Sequence, residues 1–305
     1  MQLLFIVLPI FVLIGLGYLL RRLGIITRDG ISHLNRFAYY VALPAIIVMS
    51  FWNIDWLDSA TQATLLINTV LLIGLSVVLL AGLRLLPINP RLQAGIFAAS
   101  LVGNTVYMGF PIGQRALSEG GFDLYVAAAT PHLVLGITLS VLAIEWLLAG
   151  SQRPMQYLKD FFLNPLILSL LAGIALSLSS VSGALVELVR EVGGLLAATA
   201  SPVALVALGA FLHGIFKPHL ARLALFTSAL KLFVLPLAIY GGSVLFGADP
   251  AIVAGSVLAA AMPTAVTSFV IAERYHAAPE LVATTLCVST VASLGTISLL
   301  LWLFI

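Results

Sequence analysis

Charge is what this 305-residue chain has least of: Asp, Glu, Lys and Arg together make up 9% of it, against 61% hydrophobic residues, and its mean hydropathy is +1.15. So few charged groups cannot cover a water-soluble surface, which leaves an integral membrane protein. There is a single cysteine, Cys287, so no intramolecular disulfide can form and the redox compartment stays open. The five histidines, His33, His132, His213, His219 and His276, are dispersed, and only the loop residues His213 and His219 approach a metal-ligand spacing. No phosphate-binding glycine loop is found, which removes ATP-driven chemistry, and no residue set has the spacing of an enzyme's catalytic group. The sequence is therefore read as a non-enzyme with no cofactor and no metal, and with no affinity for nucleic acid.

Long apolar runs are what it has in plenty. A bilayer core about 30 Å thick needs about 20 mostly apolar residues per helix, and such runs fall at roughly 3–20, 33–51, 61–86, 92–117, 122–148, 163–180, 186–212, 220–246, 250–273 and 280–304. The fold class expected is all-α, a polytopic membrane protein of ten transmembrane helices. Leu3 to Leu20 has no basic residue before it and Arg21 and Arg22 after it, the reverse of a signal peptide, so it is expected to be a retained first span.

The basic residues are distributed unevenly. Odd-numbered loops carry Arg21, Arg22, Arg28, Arg84, Arg91, Arg153, Lys159, Lys217, Arg222 and Arg274, whereas even-numbered loops carry Arg115 and Arg190. The positive-inside rule then makes the odd loops cytoplasmic and puts both termini on the outer, periplasmic side of an inner or plasma membrane.

Sliding the fourth and fifth spans forward by 159 residues superposes Thr105 on Thr264, Phe110 on Phe269, Ile112 on Ile271, Arg115 on Arg274, Leu135 on Leu294 and Gly136 on Gly295. Asn104 falls on Pro263, so two irregular stretches, GNTVYMGFPIG and AAMPTAVTSF, take equivalent places; a similar offset brings Pro44 onto Pro202. Residues 1–150 and 151–305 are thus expected to be two five-helix repeats, and an odd number of spans inverts the second relative to the first. Inverted repeats organise many secondary transporters, with substrate near the midplane where discontinuous helices meet. Gly and Pro break helices, and a break in hydrocarbon is tolerated only where protein or a wet cavity covers the freed backbone groups. The freed amides offer partial positive charge to an anion, and Asn104 adds a donor and an acceptor.

The sequence resembles the auxin efflux carrier family, which contains bacterial organic-acid transporters and plant PIN exporters and is related to the bile acid sodium symporters. The resemblance is carried by LNRFAYYVALPAIIVMSF, GNTVYMGFPIG, NPLILSLLAGI, SPVALVALGAFL and AMPTAVTSFVIAERYHAAPEL. It implies a homodimer in the lipid bilayer, with a scaffold of helices 1, 2, 6 and 7 and a transport core of helices 3–5 and 8–10. Helices 4 and 9 would cross at their breaks beside the substrate, and movement of the core would give alternating access. Asn104 matches the family's crossover asparagine and Pro263 the proline of the second break. Thr264 stands where plant relatives have glutamine and Gly103 where they have proline, so the substrate need not be auxin. Anchoring the fifth span on Glu145 puts His132 where plant members carry a substrate-contacting glutamine.

Substrate-binding candidates are accordingly Asn104, Thr105, His132, Pro263 and Thr264, with Gly103, Pro111, Pro44 and Pro202 as structural residues of the breaks and kinks. His132 can donate, accept or titrate near neutrality. Lys231, in the middle of the eighth span, costs about 2.5 to 3.5 kcal/mol on insertion scales, which suggests a counterion or a structural pair. Glu145, near the cytoplasmic end of the fifth span, is a second candidate for charge support. The function expected is a secondary transporter or facilitator of small organic anions, malonate- or malate-like carboxylates or auxin-like weak acids. The alternatives are a sodium-coupled symporter of the bile-acid type and an intramembrane sensor or channel; sodium and proton coupling both stay open.

Overall fold

The computed structural model describes residues 2–148, 163–179 and 181–304; among them helices carry the chain, and extended backbone pairs at one point, Gly103 with Thr264. The helices are α1 (Gln2–Arg22), α2 (Arg28–Phe37), α3 (Leu43–Trp52), α4 (Ser59–Leu85), α5 (Pro90–Leu101), α6 (Phe110–Ala116) and α7 (Glu119–Leu148). They continue with α8 (Pro165–Leu178), α9 (Ala184–Leu212), α10 (Ala221–Ala229), α11 (Leu235–Leu245), α12 (Pro250–Ala261), α13 (Val266–Arg274) and α14 (Pro279–Phe304).

Among the described residues, seven stretches are long and apolar enough to cross a membrane: those of α1, α4, α7, α9 and α14, and the continuous runs Arg28–Trp52 and Pro218–Leu245. The other three expected spans differ from simple rods. The described part of the sixth is the 14-residue α8, and the fourth and ninth are each split into two helices, α5 with α6 and α12 with α13. Arg153 and Lys159, which entered the charge count, lie outside the described residues.

Prolines set much of this pattern. Asn89 and Asn164 cap α5 and α8 by accepting from the N–H groups of Arg91 and Leu166, at 2.8 and 2.9 Å, and a proline fills the first helical position, where no donor is needed. Inside spans proline acts differently. The wide turns Ala38–Ala42, Thr105–Gly109 and Leu230–Val234 each end two residues before a proline, Pro44, Pro111 and Pro236. Proline removes a helical hydrogen bond and crowds the carbonyl one turn earlier, and a π turn absorbs that misfit without breaking the helix. Pro111 is therefore not at the break itself but one turn beyond it.

Contacts divide the chain into two units. One comprises Ile10–Gln62 and Arg153–His213; the other comprises Met1–Pro9, Ala63–Gln152 and Gly214–Ile305. In the first unit α1 and α9 approach backbone to backbone, since a Cβ at Gly17 would run into the Val206 carbonyl and one at Gly209 into the Ile14 carbonyl. Arg190 stacks over Trp52 at 4.1 Å and reaches Asn53 Oδ1 at 3.3 Å. Pro44 is half-buried in α3, and Pro202 lies exposed within α9.

The second unit packs α7 against α5 and α12, and α14 against α5, α10 and α13. Its apolar core joins Leu72 and Leu83 of α4 to Ile96, Phe97 and Leu101 of α5 and Leu281 of α14. Asn68 of α4 donates to Ser256 Oγ of α12 at 2.7 Å, a polar bond between two buried side chains that ties these helices together.

Candidate functional site

The two split spans meet at their interruptions. α5 ends at Leu101 and α12 at Ala261, and the extended residues after each lie side by side as an antiparallel bridge centred on Gly103 and Thr264. Asn104 N–H donates to the Pro263 carbonyl at 2.7 Å and Ala265 N–H to the Val102 carbonyl at 3.1 Å. Thr264 N–H donates to Ser289 Oγ at 3.2 Å. The breaks therefore satisfy much of each other's backbone, as burial requires. The sequence reading left those amides free for an anion; the amides of Asn104, Thr264 and Ala265 are instead engaged with protein acceptors.

Side chains close the remaining backbone accounts. Helix ends leave carbonyls without intrahelical partners: Ala99 of α5 accepts from Thr264 Oγ1 at 2.8 Å, Val102 from Ser268 Oγ at 3.3 Å, and Ala260 of α12 from Lys231 Nζ at 2.9 Å. An ammonium at the C-terminal end of a helix is also favoured by the helix dipole. Lys231 is fully buried, projecting from the π turn before Pro236 to the crossing of the two breaks. A Cβ placed on Gly103 would stand 3.0 Å from its Nζ and 3.3 Å from its Cε, so glycine at 103 leaves the space the lysine occupies.

Against this framework stand polar atoms that the protein leaves unpaired. Asn104 is 4% exposed, and its Nδ2 has no protein partner. His132 is 1% exposed with neither ring nitrogen bonded, and it lies within electrostatic reach of Lys231. Thr105 Oγ1 is likewise buried and unpaired, while the Thr105 carbonyl accepts from Tyr125 Oη at 2.7 Å. A buried donor or acceptor without a partner costs about 1 to 3 kcal/mol. Such atoms also occur elsewhere among the described residues, at Gln93, Ser140, Ser243 and Thr296 for example; Asn104 and Thr105 are the ones beside the paired breaks.

Of the residues singled out in the sequence, Gly103, Asn104, Thr105, Pro263, Thr264, His132 and Lys231 all belong to this one unit, and the first five lie in the paired breaks themselves. Glu145 is in the same unit but lies about 20 Å beyond His132 along α7, at 1.5 Å per residue. Pro44 and Pro202 belong to the other unit. Sequence reasoning missed Tyr125, Ser289 and Gly109. A Cβ on Gly109 would collide with the Tyr125 hydroxyl, so this glycine and tyrosine together hold the π turn that presents Thr105. The signal for Lys231 was present in Pro236, five residues on, since a proline in an apolar run announces a local widening of the helix.

Comparison with known proteins bears on what such an arrangement does. A family model described as "Membrane transport protein" matches residues 3–128 and 153–303. A protein of Rhizobium meliloti named "Putative malonate transporter" is 30% identical over 315 residues, covering 97% of this chain and 94% of its own. An "Uncharacterized transporter" of Methanothermobacter thermautotrophicus is 26% identical over 298 residues, covering 97% and 96%. With nearly its whole length matched and its apolar helices interrupted at two paired sites, the chain belongs to the auxin efflux carrier family of membrane transport proteins, and is a multi-pass transporter rather than an enzyme.

Proposed function

We propose that the protein is a secondary transporter or facilitator of small organic anions, malonate-like carboxylates first among them, and that the paired breaks are its substrate site. One observation carries the reading: a fully buried lysine, an unpaired buried amide and an unpaired buried imidazole gather around two helix interruptions in an otherwise apolar unit. Lys231 supplies positive charge, Asn104 Nδ2 donates to a carboxylate oxygen, and His132 and Thr105 Oγ1 supply further hydrogen bonds. Charge-assisted bonds of this type are roughly twice as strong as neutral ones. The name of the Rhizobium meliloti relative points to the same substrate class.

The ten apolar segments act in this reading as two inverted five-helix repeats, with helices 4 and 9 broken at the crossover. The division of contacts supports a moving core and a scaffold. The unit holding the breaks contains the third to fifth and eighth to tenth segments, and the other unit contains most of the first, together with the second, sixth and seventh. Alternating access then follows from movement of one unit against the other around the bound anion. The odd loops face the cytoplasm of an inner or plasma membrane, and two copies form a homodimer.

The experiment is uptake of radiolabelled malonate into proteoliposomes, with malate, succinate and indole acetate as competitors, with and without sodium and a pH gradient. Saturable malonate uptake inhibited by the other dicarboxylates is expected. Absence of uptake for every carboxylate in protein that is folded and inserted would overturn the substrate class.

A further inference from the structure

A second recess lies between α4 and the α10–α11 segment, with Ser100 and Leu101 at the end of α5 in its wall. It has a volume of about 330 Å³ and is walled by Leu75, Leu79 and Leu83 on one side and Phe226, Leu230 and Leu235 on the other. Among its lining residues only Ser100 is polar, so nothing inside could hold a headgroup. Leu235 packs with Leu71 and Leu75 at one end, and from there both walls run the same way, toward Leu86 on α4's side and Phe226 on the other. From Leu75 to Leu86 the groove extends about 16 Å, about half of a 30 Å hydrocarbon core. That is the depth of one leaflet.

At the end away from Leu235, Arg222 lies one turn before Phe226 on the same helix face. It is exposed, and among the described residues it has no carboxylate within ion-pair distance; Arg84, on the face of α4 turned away from the lining, stacks over Trp146 at 4.7 Å instead. The groove thus offers hydrocarbon surface one leaflet deep and an exposed guanidinium group where a lipid's phosphate would lie. We propose that it is a binding site for one acyl chain of an anionic glycerophospholipid from the surrounding bilayer, whose phosphate is held by Arg222. Basic pockets between helices near a membrane surface recognise anionic headgroups in this way, each arginine adding electrostatic attraction.

Gly82 provides a clean test, because it lines the groove and a Cβ there would meet nothing within 4 Å. The intact protein is equilibrated with equimolar dioleoyl phosphatidylglycerol and dioleoyl phosphatidylcholine, and retained lipid is counted by native mass spectrometry. Wild type should retain phosphatidylglycerol preferentially. Arg222→Gln should lower that preference about fivefold, and Gly82→Phe should abolish retention while leaving the melting temperature unchanged. Should Gly82→Phe fail to fold, phosphatidylglycerol bearing a photoreactive acyl chain is cross-linked to wild type, and adducts on Leu79 or Phe226 are expected. Equal retention of the two lipids by wild type, undiminished retention by folded Gly82→Phe, or adducts confined to other surfaces would overturn the proposal. None of these outcomes depends on the transport substrate.

Discussion

Asn104 and Pro263, the two residues that a shift of 159 positions superposes, are hydrogen-bonded to each other: the Asn104 N–H donates to the Pro263 carbonyl at 2.7 Å. Two halves related by a two-fold axis must bring the point where they cross onto its own equivalent, so this bond supports the inverted-repeat reading. Its chemistry is asymmetric, since Asn104 brings a side-chain amide and Pro263 removes a backbone donor. Pro263→Ala adds a buried N–H at the break that needs an acceptor, at a cost of about 1 to 3 kcal/mol. Transport is expected to fall while the protein still inserts, and unchanged malonate uptake would show that the proline only fills space.

Gly103 and Lys231 are coupled by space. A methyl group at 103 would come within 3.0 Å of the lysine Nζ, so the lysine end must give by a few tenths of an ångström against its bond to the Ala260 carbonyl. Gly103→Ala should therefore destabilise the protein by about 1 to 3 kcal/mol, the usual range for overpacking. The increment should shrink when Lys231 is shortened to alanine, as contacting residues are not additive. Melting temperatures of the two single variants and the double variant measure it; strict additivity would separate the two positions.

The π turn Thr105–Gly109 is held by Tyr125, which donates to the Thr105 carbonyl and occupies the space that a side chain at 109 would need. Gly109→Ala should be harmful and Tyr125→Phe mildly so, by about 0.5 to 1.5 kcal/mol for one hydrogen bond. Because phenylalanine removes the atom that collides, the double variant should be more stable than the sum of the single effects. A double variant no better than additive would mean that the turn is held by other contacts.

Orientation follows from the distribution of arginine and lysine and has a direct check. A cysteine at Asp249, in a chain with Cys287 replaced, should react with a membrane-impermeant thiol reagent from outside intact cells, and one at His219 only after permeabilisation. The reverse pattern would invert the proposed topology.

Much of this architecture was legible because it rests on residues with strong local preferences. Apolar runs marked the spans, and a glycine-asparagine pair matched to a distant proline marked the breaks. What stayed hidden depends on distance in space. Nothing in the composition of α7 says that Tyr125 reaches the Thr105 carbonyl, or that His132 comes within electrostatic reach of Lys231 while Glu145 lies too far along the helix to join them. The pairing of the breaks was equally invisible: sequence identifies a freed amide, and only the fold shows that the amides of Asn104, Thr264 and Ala265 find acceptors within the protein. The burden of recognition then passes from backbone to side chains, and the prolines that widen helices near Thr105 and Lys231 matter more than their spacing alone suggested.

The central claim is that the paired breaks bind a carboxylate through side chains that the protein itself leaves unsatisfied. Asn104 is its sharpest probe, because its Nδ2 is buried without a protein partner, so removing it breaks no internal bond of that atom. The measurement is malonate affinity of purified wild type and Asn104→Ala by isothermal titration, at matched melting temperature. The account predicts a loss of about 1 to 3 kcal/mol of binding free energy, roughly five- to 150-fold in affinity, with folding intact; equal affinity in the two proteins would contradict it.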